Sequence, residues 1–460
     1  MRSSLFVRRP FALCLLAFFL FGLASCTSAR YFRKNLKREI EHSPVFSRSF
    51  TGFHLMDATT GRTLCAVNAG KYFTPASNTK ILTLATCLKV LGDSIPGLKV
   101  IGHLLGGDEI RGGTEWVQAW LIAPTADPTF LHPRFQAWQP VYTFLKTTPV
   151  IYFSDTGRYV FERFGPGWSW DDYTGYYSTE RSSFPIFGNV STIGWTGDRW
   201  RVSPNRYQDS LVSGSDGGSK RGVWRKEYEN RLLAAGISEE QLKGIEVEIP
   251  IFEMQKQQLL LLSDTLGWPL EVFETGYMPD NNAAILYSTP VDTVYRRMMY
   301  ESDNFVAEQL LLVCAGVQFD TLHPEKMIAW AKDSLFAGLP DAPRWVDGSG
   351  LSRYNLLTPA FLTALLRQLY LEQPRERLFS LFPAGGASGT IADWYRGPGG
   401  KPFVFAKTGT MSGVHCLSGY LVTKKGKVLI FSFMHNNFIG SSKPWKEEMQ
   451  RLLREIWLMG

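Results

Sequence analysis

Residues 73–85 read FTPASNTKILTLA, an extended run that passes through a proline into an apolar segment. Pro75 suits a helix start, and Ile81, Leu82, Leu84, Ala85, Leu88 and Leu91 keep helical spacing as far as Gly92. Ser77 therefore falls in the first turn, with Lys80 one turn later on the same face. A serine with an amine three residues on is a nucleophile beside a base. It is equally an ordinary helix start, because S-x-x-K is a common tetrapeptide in a chain of 460 residues. The rest of the chain decides between the two.

Two further motifs follow in order. Ser302-Asp303-Asn304 leads into the helical run NFVAEQLL, and Lys407-Thr408-Gly409-Thr410 closes the strand-like KPFVFAKTG. Each alone reads as a cap or a turn. The ordered triple S-x-x-K, S-x-N, K-T-G, each member in fitting local structure, is the set of acyl-serine enzymes that react with β-lactams. Its chemistry is direct. Ser77 needs a base within hydrogen-bond reach, and Lys80 serves once burial and a second cation, Lys407, lower its pKa. The backbone N–H groups of Ser77 and Thr410 suit an oxyanion hole. Ser302 can pass a proton to the leaving amine, and Asn304 can hold a substrate amide. Lys407, Thr408 and Thr410 offer a charge and two hydroxyls to a terminal carboxylate. Acyl transfer of this kind calls for no cofactor and no metal.

The chain's organisation fits work outside the cytoplasm. MRSSLFVRRP is a basic start, and FALCLLAFFLFGLAS is an apolar run of secretory-leader length. It ends in Leu23-Ala24-Ser25-Cys26, a lipobox-like sequence that predicts cleavage after residue 25, a lipidated Cys26 and a membrane anchor of acyl chains. Residues 26–45 read as a tether with a short helix. Residues 46–95 hold a hairpin (FHLMDA, RTLCAVN) and the Ser77 helix, and 285–460 hold helices and three late strands. Together these predict an α+β domain with one antiparallel sheet assembled from both ends. Residues 96–284 form a large, mainly β insertion with its own core, in which KEYENRLLAAGISEEQLKGI reads as helical.

The net charge of +7 falls to +4 without Arg2, Arg8 and Arg9 of the leader, and no Lys/Arg block points to nucleic acid. Of six cysteines, at 14, 26, 65, 87, 314 and 416, the last four lack C-x-x-C spacing; zinc has no support, and buried free thiols are expected. His415 and Cys416 lie just beyond the third motif; Cys416 reads as a strand residue, and His415 as a strand residue or as a modifier of the site.

With these motifs in place, the sequence resembles the low-molecular-mass class C penicillin-binding proteins, the D-alanyl-D-alanine carboxypeptidase/endopeptidase family S13. SDNFVAEQLL and AKTGTMSGVHCLSGYL resemble its second and third motifs. Asp347 to Arg353 (DGSGLSR), PAGGASGTI at 383–391 and WSWDD at 168–172 resemble further family segments. It departs at Ala123–Pro128 (APTADP), where the family often has glycines before Asp-Pro; Asp127 reads as structural. The resemblance implies a β-lactamase/transpeptidase-like fold with domains inserted between the first two motifs. It further implies acylation of Ser77 by D-Ala-D-Ala stem peptides of peptidoglycan, then hydrolysis, and reaction with β-lactam antibiotics in the periplasm or cell envelope. A serine β-lactamase or esterase on the same fold, and a catalytically silent wall-binding protein, are the alternatives.

Overall fold

The structure is a computed structural model, and it describes residues 34–459 apart from 106–116, 138, 149–150, 155–158, 215–220, 239–240, 242, 245, 269 and 274–282. The leader 1–25, Cys26 and the first part of the tether lie outside the described residues. The short helix expected within the tether is present from residue 34. Helix α1 (34–41) packs onto the body, because Leu36 and Ile40, one turn apart, are both buried in a cluster with Phe433 and Trp445.

β1 (Phe50–Asp57) and β2 (Thr63–Val67) form the expected hairpin, and a 3₁₀ turn (Ala76–Thr79) runs into α2 (Lys80–Val90). The insertion then begins with β3 (Ser94–Leu105), β4 (Val117–Pro124), α3 (Pro140–Thr147) and β5 (Ile151–Ser154). β6 (Val190–Trp195), β7 (Trp200–Ser203), β8 (Leu211–Ser213), β9 (Gly222–Arg225), β10 (Leu232–Ala235), β11 (Glu246–Pro250), α4 (Met254–Leu266), β12 (Glu271–Phe273) and β13 (Ala284–Pro290) complete it. Its strands form a mixed sheet ordered β12-β5-β4-β3-β13 and two three-stranded sheets, β11-β6-β7 and β8-β10-β9. Their shared core holds Ile122, Phe184, Ile193, Ile249 and Leu262. β10 corrects the helical reading of its stretch: Leu232–Ala235 pairs with β8 on one side and β9 on the other, and that pairing overrides the helix propensity of Leu-Leu-Ala-Ala.

The chain returns through α5 (Val291–Tyr300), α6 (Asn304–Phe319), α7 (Pro324–Ser334), α8 (Pro359–Glu372) and α9 (Arg375–Ser380). β14 (Val404–Met411), β15 (Val414–Val422), β16 (Val428–Asn436) and α10 (Lys443–Met459) end it. The main sheet is antiparallel throughout, ordered β14-β15-β16-β1-β2, so both ends of the chain build it as expected. β16 shows why it is central: every residue is buried, and alternate side chains serve opposite cores. Val428, Ile430 and Met434 join α2, α6 and α8, whereas Leu429, Phe431 and Phe433 join α1 and α10. The architecture is α+β, with the sheet sandwiched between helical layers and β14 left at an edge.

Candidate active site

Ser77 lies in the 3₁₀ turn that opens α2, directly after Ala76, whose φ is +47°. A left-handed backbone at alanine costs on the order of 1–3 kcal/mol and persists only where surrounding contacts enforce it. Gly350, itself at φ +82°, supplies one such contact: a Cβ there would stand 2.0 Å from the Ala76 carbonyl oxygen. Lys80, fully buried, donates from Nζ to Ser77 Oγ at 3.1 Å, to Asn304 Oδ1 at 2.6 Å and to the Ser349 carbonyl at 2.7 Å. Burial pushes its pKa down to about 8, against the opposing pull of Asp347, Glu308 and Asp303.

Ser302 is also left-handed, at φ +58°, in the bend between α5 and α6. Asp303 caps α6 by accepting from Val306 N–H, and Arg297 Nε donates to its other oxygen at 2.9 Å. The bend is thereby fixed, and Asn304 starts the helix facing Lys80. Across the cleft, Lys407 Nζ donates to Ser302 Oγ at 2.8 Å and to the Thr408 carbonyl at 2.9 Å. Lys407 is fully buried, and burial followed by the charge of Lys80 holds its pKa well below the usual lysine range. Its amine therefore lies beneath the cleft and reaches it through Ser302 and the Thr408 carbonyl.

β14 presents the third motif by its backbone parity. Ala406 N–H donates outward to the Pro383 carbonyl, and the Val404 carbonyl accepts from Gly385 N–H. Two-residue alternation turns Thr408 and Thr410 N–H to that same free edge, away from β15. Gly409 lets the strand come close: a Cβ there would lie 2.3 Å from the Pro75 carbonyl oxygen. Asn78 Nδ2 donates to the Lys407 carbonyl at 3.0 Å and ties turn to strand. The result is a cleft of about 810 Å³ lined by Ser77, Ser302, Asn304, Thr408 and Thr410, with Lys80 and Lys407 under it. All seven side chains expected from the sequence meet there.

The sequence reading missed several participants. Tyr177, from the insertion, accepts Asn304 Nδ2–H on its carbonyl at 2.8 Å and so turns the amide oxygen toward Lys80. Arg181 Nη2, also from the insertion, meets Glu308 Oε2 at 2.6 Å, and Glu308 Oε1 accepts Ser349 N–H at 2.7 Å. The Asp347 carboxylate gathers Gly350 and Ser352 N–H, Asn355 Nδ2 and Trp168 Nε1. The DGSGLSR stretch was visible as a motif, but its role, holding the Ser349 carbonyl against Lys80, belongs to the folded arrangement. Asp127 is buried and accepts Thr129 N–H, as a turn residue does. Cys65, Cys87, Cys314 and Cys416 are buried free thiols.

Over residues 32–455 the sequence matches the D-Ala-D-Ala carboxypeptidase 3 (S13) family. The chain belongs to that family. A D-alanyl-D-alanine carboxypeptidase from Actinomadura sp. is 25% identical, across 91% of this chain and 84% of that protein. A carboxypeptidase from Mycobacterium tuberculosis is 30% identical over 38% of this chain and 40% of its own length. Among solved structures, penicillin binding protein 4 (dacB) from Haemophilus influenzae superposes with a TM-score of 0.72 at 20% identity, covering 92% of this chain and 99% of the other. In this member of the family the side chains of the three sequence motifs converge on one cleft.

Proposed function

We propose that this chain is a serine-type D-Ala-D-Ala carboxypeptidase that cleaves peptidoglycan stem peptides through an acyl-Ser77 intermediate and is acylated by β-lactams. The observation that carries it is the 3.1 Å contact between Ser77 Oγ and a buried Lys80 amine of depressed pKa. Neutral Lys80 takes the Ser77 hydroxyl proton while Oγ attacks the carbonyl between the two D-alanines. Ser77 and Thr410 N–H receive the developing oxyanion. The proton then travels from Lys80 through Ser302 to the departing amine, the C–N bond breaks, and D-alanine leaves. Water, deprotonated by the same amine, releases the shortened peptide and regenerates Ser77. Asn304 holds the substrate amide, and Thr408 and Thr410 receive the terminal carboxylate above the buried Lys407 amine.

Labelling with a fluorescent penicillin, beside Ser77→Ala, tests this reading. A stable adduct on the native chain and none on the variant is expected. Rapid penicillin turnover without an adduct would mean a β-lactamase, an alternative the relatives do not favour. Neither adduct nor turnover would mean a silent pocket.

Action on peptidoglycan places the protein in the cell envelope. The basic and apolar leader before Cys26 supports a periplasmic lipoprotein, anchored by acyl chains. Among the described residues no helix is long and apolar enough to cross a membrane. Expression of Cys26→Ser should move the protein from the membrane to the soluble envelope fraction; an unchanged distribution would refute the anchor.

A further inference from the structure

His415 stands opposite Thr410 in the β14–β15 register, and its Nδ1 lies 2.8 Å from Thr410 Oγ1. Thr410 is exposed in the cleft, whereas the His415 ring is 1% exposed. Its other nitrogen, Nε2, is buried and has no hydrogen-bond partner among the described residues. The neighbour across the next strand pair is His435, whose Nδ1 is taken by Thr51 Oγ1 and whose Nε2 is likewise unpartnered. Neither histidine satisfies the other.

We infer that His415 is a positioning residue for substrate selection: its Nδ1–H donates to Thr410 Oγ1 and leaves the Thr410 hydroxyl hydrogen to donate to a substrate carboxylate. Burial, with a contribution from nearby Lys446, pushes the His415 pKa down to about 3, so the ring is neutral and carries one N–H. Placed on Nε2, that hydrogen would be a buried donor with no acceptor, the rarer kind of unpaired group; on Nδ1 it is used by Thr410. The choice reaches the cleft. A threonine that accepts from histidine keeps its own hydrogen free and attracts an anion. A threonine that donates to histidine turns only lone pairs to the cleft and repels one. His415 therefore sets whether Thr410 favours a free carboxylate or a neutral chain end.

The inference rests on the acyl-Ser77 reading, and its test separates the two. Ser77 acylation would be measured with penicillin, which carries a carboxylate, and with a thioester acyl donor lacking any carboxylate, on the native chain, His415→Leu and His415→Asn. The ratio of the two rates on one preparation does not depend on the folded fraction. His415→Leu should lower the ratio about ten-fold, the scale of one hydrogen bond to a charged group. His415→Asn, which can supply an N–H near Nδ1, should restore most of it. Equal losses for both donors, or no loss, would overturn the role. A nitrogen-detected imidazole spectrum of the native chain should place the proton on Nδ1; a proton on Nε2 would overturn it without any variant. Failure of the native chain to acylate at Ser77 would instead refute the function and this role with it.

Discussion

At the scale of single residues, Lys80 carries the activity in its protonation state. Three acceptors surround its Nζ, which favours the ammonium, while burial opposes it and sets the pKa at about 8. Below that value the amine is charged and has no lone pair for the Ser77 proton. The rate of penicillin acylation should therefore rise roughly ten-fold per pH unit up to about pH 8 and level off above it. A stopped-flow pH profile would check this, and a flat profile from pH 6 to 8 would remove Lys80 as the base. The spacing of Ser77 and Lys80 was legible in the sequence because three residues on a helix is a local geometry. The sequence pointed to burial and to Lys407 as what would depress the Lys80 pKa; burial does so, and Lys407 is not among the causes. The magnitude of the shift depends on Asp347 and Glu308, which lie far along the chain and counter the burial.

At the scale of elements, the site depends on how closely β14 approaches the turn before α2. Gly409 has no room for a methyl group, with the Pro75 carbonyl oxygen at 2.3 Å and Asn78 N at 3.0 Å from an added Cβ. Gly409→Ala should force strand and turn apart, lower stability by about 1–3 kcal/mol and slow acylation about a hundred-fold. Denaturant titration with acylation kinetics would measure both, and a variant acylating at the native rate would show the approach to be dispensable. Local pattern served well where periodicity was strong: the hairpin, α2, α6 and the late strands fall where the sequence placed them. It failed at Leu232–Ala235, where strand pairing with β8 and β9 outweighed local propensity. It also under-read residues 34–41, whose burial depends on the partner face of α10 and the sheet.

At the scale of the whole molecule, the insertion and the sheet domain meet in a buried ion pair. Arg181 and Glu308 side chains are each 1% exposed, and they join the insertion to α6. Gln309 adds donor contacts to the Ala126 and Ser182 carbonyls. Arg181→Ala would leave Glu308 charged and uncompensated, and should cost about 3–5 kcal/mol of unfolding free energy. It should also weaken acylation, since Glu308 holds Ser349 N–H and the Ser349 carbonyl faces Lys80. Chemical denaturation of the variant would measure the loss, and a change below 1 kcal/mol would mean that the junction is not energetically important.

The sequence by itself determined the antiparallel sheet built from both ends, the existence of a β insertion and the identities of the seven convergent side chains. These rest on hydrophobic period, turn chemistry and short motifs, all of which are local. Only the tertiary structure decided that Tyr177 of the insertion reaches the site and Arg181 supports it through Glu308, that Lys407 lies beneath the cleft and that His415 backs Thr410. Those relations join residues distant along the chain or depend on burial, and burial is set by what packs from elsewhere.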